Sequence, residues 1–261
     1  MAEKIGKLYN GAGNKFLMYD GRRESLADLD IVALCSLFST DGLIIIRKSE
    51  DYDFRMEFYN PDGSSGMMCG NGGRCVVAFA QDLGMVTGKC VFEAADGIHK
   101  AEIVKGTSVD DAKMVSISLN DVKKIEPCLS GFFLNTGTRH FVIMVDDVDA
   151  TDVDGLGKLY RHDSHFAPEG TNVNFVQDCG NGLLKVRTFE KGVEGETLAC
   201  GTGITASAIA SCYFGLAPAS DKNGRISYDI IARRGDSLKV SFRKEGFDYV
   251  DVVLTGPTER M

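Results

Sequence analysis

The fold is decided by the stretch Cys69-Gly70-Asn71-Gly72-Gly73-Arg74-Cys75 and by a shorter relative of it, Cys200-Gly201-Thr202-Gly203. In each, a cysteine opens a glycine-rich turn that runs into apolar sequence with a helical pattern, over 76–83 and 204–214. Each helical pattern stops at a glycine fifteen positions after its cysteine, and glycine is common at a helix C-terminus. The repetition predicts one supersecondary unit used twice, with one thiol at each helix N-terminus.

Composition restricts the class of protein. The chain has 261 residues and a net charge of −8 without a basic run, which argues against nucleic acid and anionic membranes as partners. Residues 1–7 lack the apolar core of a signal peptide, and no apolar run has the length of a membrane span, so we expect a cytoplasmic protein. Its eight cysteines are then expected to be reduced thiols. Thirty glycines favour many turns and short strands.

Strands are predicted on both sides of each thiol motif. In the first half they fall at 7–9, 16–19, 43–46, 54–58, 90–94, 100–104 and 115–119, with a helix over 26–38 that starts at Ser25. In the second half they fall at 132–134, 141–145, 173–175, 184–189, 225–231, 237–242 and 249–254, with a weak helix over 154–160. The pattern loosens around 120–130, where we place the boundary between domains 1–120 and 121–254. Helices that alternate irregularly with many strands favour two similar α/β domains over a doubly wound parallel sheet.

A cysteine at a helix N-terminus has a chemical advantage. The unpaired N–H groups and the positive end of the helix dipole favour a thiolate, and the same N–H groups suit a carboxylate ligand. Two such cysteines are what the inversion of a stereocentre needs, because one face must lose a proton and the other must gain one, with the roles exchanged in reverse. The hydrogen would lie α to a carboxylate, and the helix N-termini would stabilise the enediolate-like charge.

Most of the other candidate residues and motifs are interpreted as structural rather than functional. A single cysteine beside glycines is more often a packed residue than a catalyst; two copies at matched distances favour function. The six remaining cysteines are interpreted as core or incidental thiols: Cys35, Cys75, Cys90, Cys128, Cys179 and Cys212. No Cys-x-x-Cys occurs, which weakens a zinc or thioredoxin-type site. The run 201–206 fits a dinucleotide fingerprint formally, but Glu194 and Glu196 precede it where an apolar strand should run.

Two further side chains are candidates for assisting the thiols. His140 lies in a glycine turn that opens a strand, and Glu190 closes the strand before Cys200, as Asn60 follows the strand before Cys69. A carboxylate at that place is usually a surface group; here it could orient a thiol or relay a proton. His99, His162 and His165 are interpreted as structural or surface residues.

These residues resemble the diaminopimelate epimerase family, cofactor-independent amino-acid epimerases with two cysteines. The resemblance covers nearly the whole chain. It rests on motifs that occur in the family's order: Gly13-Asn14-Lys15-Phe16, Asn60-Pro61-Asp62-Gly63-Ser64, the Cys69 to Cys75 block, Gly170-Thr171-Asn172-Val173-Asn174-Phe175, and Glu190-Lys191-Gly192 through Ala199-Cys200-Gly201-Thr202-Gly203.

The resemblance implies roles, a fold and an activity. Cys69 and Cys200 would be the paired acid and base, assisted by His140 and Glu190. Asn14, Asn60, Asn172 and Lys191 match positions that hold the substrate, and Gly70, Asn71, Gly201 and Thr202 would receive the reacting carboxylate through backbone N–H groups. Each domain would be a curved, barrel-like sheet around a central helix, with 255–261 returning to the first domain, and the protein would be a homodimer. No metal and no cofactor are implied, and the reaction would interconvert LL- and meso-2,6-diaminopimelate in lysine and cell-wall precursor synthesis.

The chain departs from the family pattern at four positions. Gly42 stands where the family has Gln, Thr138 and Arg139 replace an Asn-Pro pair before His140, and Lys191 replaces an Arg, whose bidentate fork a lysine cannot reproduce. These changes keep open a racemase for another amino acid, such as histidine. A phenazine-biosynthesis-like isomerase or a silent binding protein on the same fold is a further alternative; such relatives commonly lack one or both thiols.

Overall fold

The computed structural model describes residues 6–23, 29–104 and 112–261. The chain divides into two compact units, Met1–Ser118 with Thr255–Met261, and Leu119–Leu254. The first contains β1 (Lys7–Gly11), β2 (Asn14–Asp20), α1 (Ile31–Phe38), β3 (Gly42–Arg47), β4 (Phe54–Tyr59), α2 (Gly70–Asp82), β5 (Lys89–Ala94), β6 (Gly97–Ile103) and β7 (Ala112–Ser118). The second contains β8 (Ile125–Cys128), β9 (Gly131–Asn135), β10 (Arg139–Met144), α3 (Val153–Arg161), β11 (Asn172–Asp178), β12 (Leu183–Glu190), β13 (Gly195–Thr197), α4 (Gly201–Phe214), β14 (Arg225–Ile231) and β15 (Ser237–Glu245). A last strand, β16 (Asp248–Arg260), runs through the boundary at Leu254.

In the first unit, eight strands close into a barrel. The strands pair in chain order from β1 to β7, and the end of β16 pairs with both β7 and β1. Pairing is parallel for β2 with β3 and for β4 with β5, and antiparallel elsewhere. In the described part of this unit, each strand of the barrel has a partner strand on either side.

Helix α2 is the core of this barrel. Its residues from Gly70 to Ala80 are all buried, as expected of a helix surrounded by protein. It packs against β1 to β4, β6 and β7, while α1 packs on the other face of β2 and β3. Strand β3 is therefore covered on both faces, which explains the uninterrupted buried run from Gly42 to Ile46.

The second unit repeats this topology. The order of its sheet is β8-β9-β10-β11-β12-β14-β15-β16, with parallel pairs at β10 with β11 and at β12 with β14. Helix α4 is buried from Gly201 to Cys212 and packs against β9 to β12 and β15. Helix α3 covers the opposite face through a cluster that includes Phe141, Phe166 and Phe189. The expected fold, two like α/β domains with a barrel-like sheet around a central helix, is confirmed.

The structure corrects several predicted elements. Helix α2 begins at Gly70, not at 76, because the glycine turn is itself the first helical turn. Strands β8 and β13 were not predicted; β8 contains Pro127, which a strand at the end of a sheet tolerates. Among the described residues, the helix predicted over 26–38 runs from Ile31 to Phe38, and the Asp30 side chain accepts from the N–H of Ala33; the predicted start at Ser25 and residues 26–28 lie outside the described residues.

Within the described ranges, none of the helices combines the length and the apolar character needed to span a membrane.

Candidate active site

Both central helices begin at a cysteine. Cys69 and Cys200 are the N-cap residues of α2 and α4, both with extended backbone, and neither cysteine side chain caps its helix. The first N–H groups of a helix have no acceptor within the helix, and Gly70, Asn71, Gly201 and Thr202 supply them here. In contrast, α1 and α3 begin at aspartates that accept from the first turn. The two thiol helices thus differ from the ordinary helices of the same chain.

Around α2, an amide chain fixes the first turn. Asn71, fully buried, donates from Nδ2 to Oδ1 of Asn14 at 2.6 Å and accepts from the Arg74 guanidinium at 2.9 Å. Arg74 also donates to the carbonyl of Gly70 at 3.1 Å, so a buried cation holds the first turn. Asn14, at the start of β2, donates in turn to Asp41 at 3.3 Å. We call Asn14, Asp41, Cys69, Asn71 and Arg74 the α2 cluster.

The end of β1 approaches α2 closely. A Cβ atom on Gly11 would lie 2.8 Å from Sγ of Cys75 and 2.9 Å from the carbonyl oxygen of Asn71, so only glycine fits. Cys75 is completely buried, and burial raises the pKa of its thiol to about 12. Cys75 is therefore a packed thiol, while Cys69, six positions earlier, is half-buried.

Around α4, the pairing register brings polar residues of three strands together. His140 in β10 lies opposite Asn172 in β11, and Asn174 lies opposite Thr188 in β12. Nδ2 of Asn174 lies 3.0 Å from Nδ1 of His140, and Oδ1 of Asn174 accepts from the Thr188 hydroxyl at 3.0 Å. Burial lowers the pKa of His140 to about 3. The imidazole is therefore neutral at physiological pH.

The other ring nitrogen of His140 faces two hydroxyl groups. Nε2 lies 2.9 Å from Oγ1 of Thr138 and 3.0 Å from Oγ1 of Thr202, and the two hydroxyls lie 3.1 Å apart. Oγ1 of Thr202 also lies 3.5 Å from Sγ of Cys200. We call Thr138, His140, Asn174, Cys200 and Thr202 the α4 cluster. Its hydrogen bonds connect a buried neutral imidazole to the thiol.

Glu190 and Asn172 lie at the ends of the strands beside this cluster. Glu190, the last residue of β12, accepts from the Thr197 hydroxyl at 2.5 Å. Asn172 accepts from the backbone N–H of Lys191 at 2.8 Å and donates to the carbonyl of Arg139 at 3.0 Å. Strand β13, which carries Thr197, thus positions the Glu190 carboxylate.

Two further candidate residues, Asn60 and Lys191, are not members of the two clusters. Asn60, directly after β4, is bonded to Ser64 in its own turn through backbone N–H and Nδ2. The Lys191 side chain is exposed. Arg139, one of the departures from the family pattern, forms an ion pair with Glu169 at 2.5 Å and lies over the Phe133 ring. Because successive residues of a strand point to opposite faces, the side chains of Arg139 and His140 lie on opposite faces of the sheet.

The sequence does not single out Asn174 of the α4 cluster, nor Thr188 and Thr197, which donate to Asn174 and Glu190. A signal for two of them exists. Asn172 and Asn174, and likewise Thr188 and Glu190, are two positions apart in a strand, and such residues share one face. Thr197 gives no comparable signal, because its strand has three residues.

Comparison with known proteins gives the family. A family model described as diaminopimelate epimerase matches residues 8–116 and 132–258. A protein named diaminopimelate epimerase from Aquifex aeolicus is 39% identical, over 94% of this chain and 91% of its own length. Those from Flavobacterium psychrophilum and Chlorobaculum tepidum are 35% and 37% identical; the alignments cover 96% and 95% of this chain and 95% of each relative.

Solved structures of lower identity share the fold. A phenazine biosynthesis protein of the PhzF family from Bacillus anthracis matches with a TM-score of 0.75 at 12% identity, over 98% of this chain and 97% of that one. A probable proline racemase from Agrobacterium radiobacter K84 matches with 0.69 at 14% identity, over 98% and 90%. The family model and the relatives extend over both units and both cysteine helices. The chain belongs to the diaminopimelate epimerase family.

Proposed function

We propose that this protein interconverts LL- and meso-2,6-diaminopimelate, in lysine and peptidoglycan precursor synthesis, with Cys69 and Cys200 as the acid and base. The observation that carries the proposal is the presence of both cysteines at the N-caps of buried helices in a chain 39% identical to a diaminopimelate epimerase.

The reaction is a proton exchange at one carbon. In one direction, one sulfur is a thiolate and takes the α-hydrogen: the C–H bond breaks, an S–H bond forms, and the electron pair moves into the substrate carboxylate. The other sulfur, a thiol, gives its proton to the opposite face, and the reverse reaction exchanges the roles. Backbone N–H groups of Gly70, Asn71, Gly201 and Thr202 receive the carboxylate as its charge grows.

The remaining residues hold the substrate and assist the thiols. His140, neutral because of its burial, acts as a hydrogen-bond donor from Nε2, and Glu190, positioned by Thr197, assists the thiols by orienting a thiol or relaying a proton. Asn14, Asn60, Asn172 and Lys191 bind the part of the substrate away from the reacting carbon. No cofactor enters this mechanism. A cytoplasmic location and a homodimeric state belong to the same proposal; cell fractionation and light scattering check them.

The test is hydrogen exchange at the α-carbon of purified LL-diaminopimelate in deuterated water. Cys69→Ala and Cys200→Ala should each abolish epimerisation, while Cys179→Ala, which removes an exposed cysteine, should retain it. Undiminished epimerisation by either of the first two variants would end the two-thiol proposal.

One observation favours a second candidate, a racemase acting on another amino acid such as histidine. A Cβ atom on Gly42 would overlap the Phe58 ring, so an aromatic ring fills the place where the family carries an amide side chain. A phenyl ring at this place suits a flatter or less polar substrate. A panel of amino acids analysed by chiral chromatography separates the two: turnover of histidine without turnover of diaminopimelate would reverse the choice.

A further inference from the structure

Thr138 joins His140 to the helix that carries Cys200. Its Oγ1 lies 2.9 Å from Nε2 of His140, 3.1 Å from Oγ1 of Thr202 and 3.4 Å from Nδ2 of Asn172. Thr202, the second residue of α4, reaches Sγ of Cys200 at 3.5 Å. Thr138 is also one of the positions at which the chain departs from the family pattern, so the contacts of its hydroxyl group are not part of that pattern.

The hydrogen positions in this cluster follow from donors and acceptors whose nature is fixed. Nδ2 of Asn174 also donates to the carbonyl of Phe141, at 3.3 Å, and a carbonyl only accepts. This places the amide nitrogen, not the oxygen, beside Nδ1 of His140. Nδ1 must then be the acceptor, and in a neutral imidazole the hydrogen lies on Nε2. His140 therefore donates toward Thr138 and Thr202.

Counting hydrogens gives the direction of the chain. Nε2 has one hydrogen and lies 2.9 Å from Oγ1 of Thr138 and 3.0 Å from Oγ1 of Thr202. Nε2 of His140 and Nδ2 of Asn172 are both donors toward Thr138, so the hydrogen of the Thr138 hydroxyl points to its remaining described contact, Oγ1 of Thr202. Thr202 then accepts from Thr138, and its hydrogen is directed to Sγ of Cys200. The reverse direction would point the Thr138 hydroxyl at a nitrogen that already carries a hydrogen. Donors thus run from the buried imidazole to the sulfur, and they favour the charged sulfur over the neutral one.

We propose that Thr138 is a positioning residue for Cys200: its hydroxyl relays hydrogen bonding from His140 to Thr202 and so stabilises the thiolate form of Cys200. The inference rests on the proposed function for its catalytic meaning, but not for its measurement. The relay also gives a role to His140, whose lowered pKa makes it too weak a base to take a proton from a thiol near neutral pH.

The experiment measures the alkylation rate of Cys200 by iodoacetamide against pH in the full-length protein. Cys200 and Cys212 share the tryptic peptide 192–222, so fragment-ion mass spectrometry separates the two sulfurs. Thr138→Val removes the hydroxyl at nearly constant volume, and Thr138→Ser keeps it. Thr205→Val is the matched control, because Thr205 is a fully buried threonine of the same helix whose hydroxyl donates to the carbonyl of Gly201 at 2.9 Å.

We expect Thr138→Val to slow alkylation of Cys200 near neutral pH by about threefold to tenfold, the effect of losing one net hydrogen bond, and to move the midpoint of the pH profile upward. Thr138→Ser should restore the wild-type profile, and Thr205→Val should not change it. If Thr138→Val does not fold, Thr138→Ala replaces it in the same comparison with Thr138→Ser.

A wild-type profile in Thr138→Val, or an equal loss in Thr138→Ser, would overturn the relay. Its failure and that of the proposed function are distinguishable. A normal profile in Thr138→Val together with wild-type turnover of diaminopimelate removes the relay alone. Conversely, the predicted shift of the alkylation profile in Thr138→Val, together with a wild-type protein that does not turn over diaminopimelate, supports the relay and removes the proposed substrate.

Discussion

Nδ2 of Asn174 and Nδ1 of His140 lie 3.0 Å apart, and both side chains are completely buried. This contact uses the lone pair that a protonated imidazole would lack. Burial lowers the pKa of His140 to about 3. Burial therefore keeps the ring neutral, and the contact with Asn174 leaves the ring hydrogen on Nε2, toward Thr138 and Thr202.

The same burial makes the fold sensitive to acid. The unfolded chain binds a proton at this histidine near pH 6.5, whereas the folded chain does so only near pH 3, so stability falls as the pH falls between these values. From pH 7 to pH 5, the contribution of His140 to the unfolding free energy should drop by about 2 kcal/mol. Urea unfolding at both pH values should show that His140→Gln loses less stability than the wild type. An equal loss in both proteins would contradict the prediction, and His165→Gln, at an exposed histidine, is the control.

Gly203 is predicted to tolerate no side chain. A Cβ atom there would overlap Oδ1 of Asn174 and lie 3.3 Å from Sγ of Cys200. Gly203→Ala should therefore displace Asn174 from His140, lower kcat strongly and destabilise the fold by about 1–3 kcal/mol, the usual cost of overpacking. Gly195→Ala is the matched control, since its Cβ would meet no atom within 4 Å. Steady-state kinetics and thermal unfolding check both variants, and wild-type kcat in Gly203→Ala would show that α4 can move away from β11.

Asn71→Asp should separate folding from substrate binding. Aspartate keeps an acceptor for Arg74, at present bonded at 2.9 Å, but loses the donor to Asn14 at 2.6 Å. It also places a negative charge on the first turn of α2, where the proposed substrate carboxylate binds. We expect stability close to wild type and a KM for diaminopimelate raised by about tenfold or more, because a negative charge beside the substrate carboxylate weakens its binding.

Asn71→Ala provides the comparison for that variant. Removing the side chain leaves the buried Arg74 without this acceptor, so stability should fall by about 1–3 kcal/mol. If Asn71→Asp were instead as unstable as Asn71→Ala, the hydrogen bond from Nδ2 of Asn71 to Asn14 would be needed for the stability of the fold. Thermal unfolding and steady-state kinetics of both variants decide between these outcomes.

The sequence predicted those parts of the fold that repeat. The cysteine, glycine turn, apolar helix and closing glycine occur twice, and Gly215 closes α4 in the left-handed conformation, with φ +100°, as its position indicates. Elements without such a signal were missed: β13 has three residues, and β8 includes a proline. Helix α2 was predicted too short, because three glycines in its first four residues suggest a turn; burial within the barrel outweighs their low helix propensity.

The polar clusters could be predicted only in part. His140 and Asn172 were found through motifs, but the contact between His140 and Asn174 depends on which residues of β10 and β11 face each other. Register between strands is set by the whole sheet, so a single sequence does not reveal it. Likewise, the sequence does not show that Arg139, which departs from the family pattern, pairs with Glu169.

His99 should show the opposite dependence on pH from His140. It is 1% exposed, and its ring nitrogens bond the carbonyl of Ser118 at 2.8 Å and Oδ1 of Asp96 at 3.0 Å. Burial opposes the charged ring, but the bonds to Asp96 and Ser118 outweigh it and raise the pKa of His99. A raised pKa in the folded state adds stability below the unfolded value near 6.5, and this stability is lost as the pH rises through the folded value.

His99→Gln should therefore cost about 1–3 kcal/mol of unfolding free energy at pH 6 and less at pH 8.5. Urea unfolding at the two pH values checks this, with His162→Gln as the control, because His162 is exposed and its pair with Glu194 is an exposed one. A larger cost at pH 8.5 than at pH 6 would mean that His99 is neutral in the folded protein.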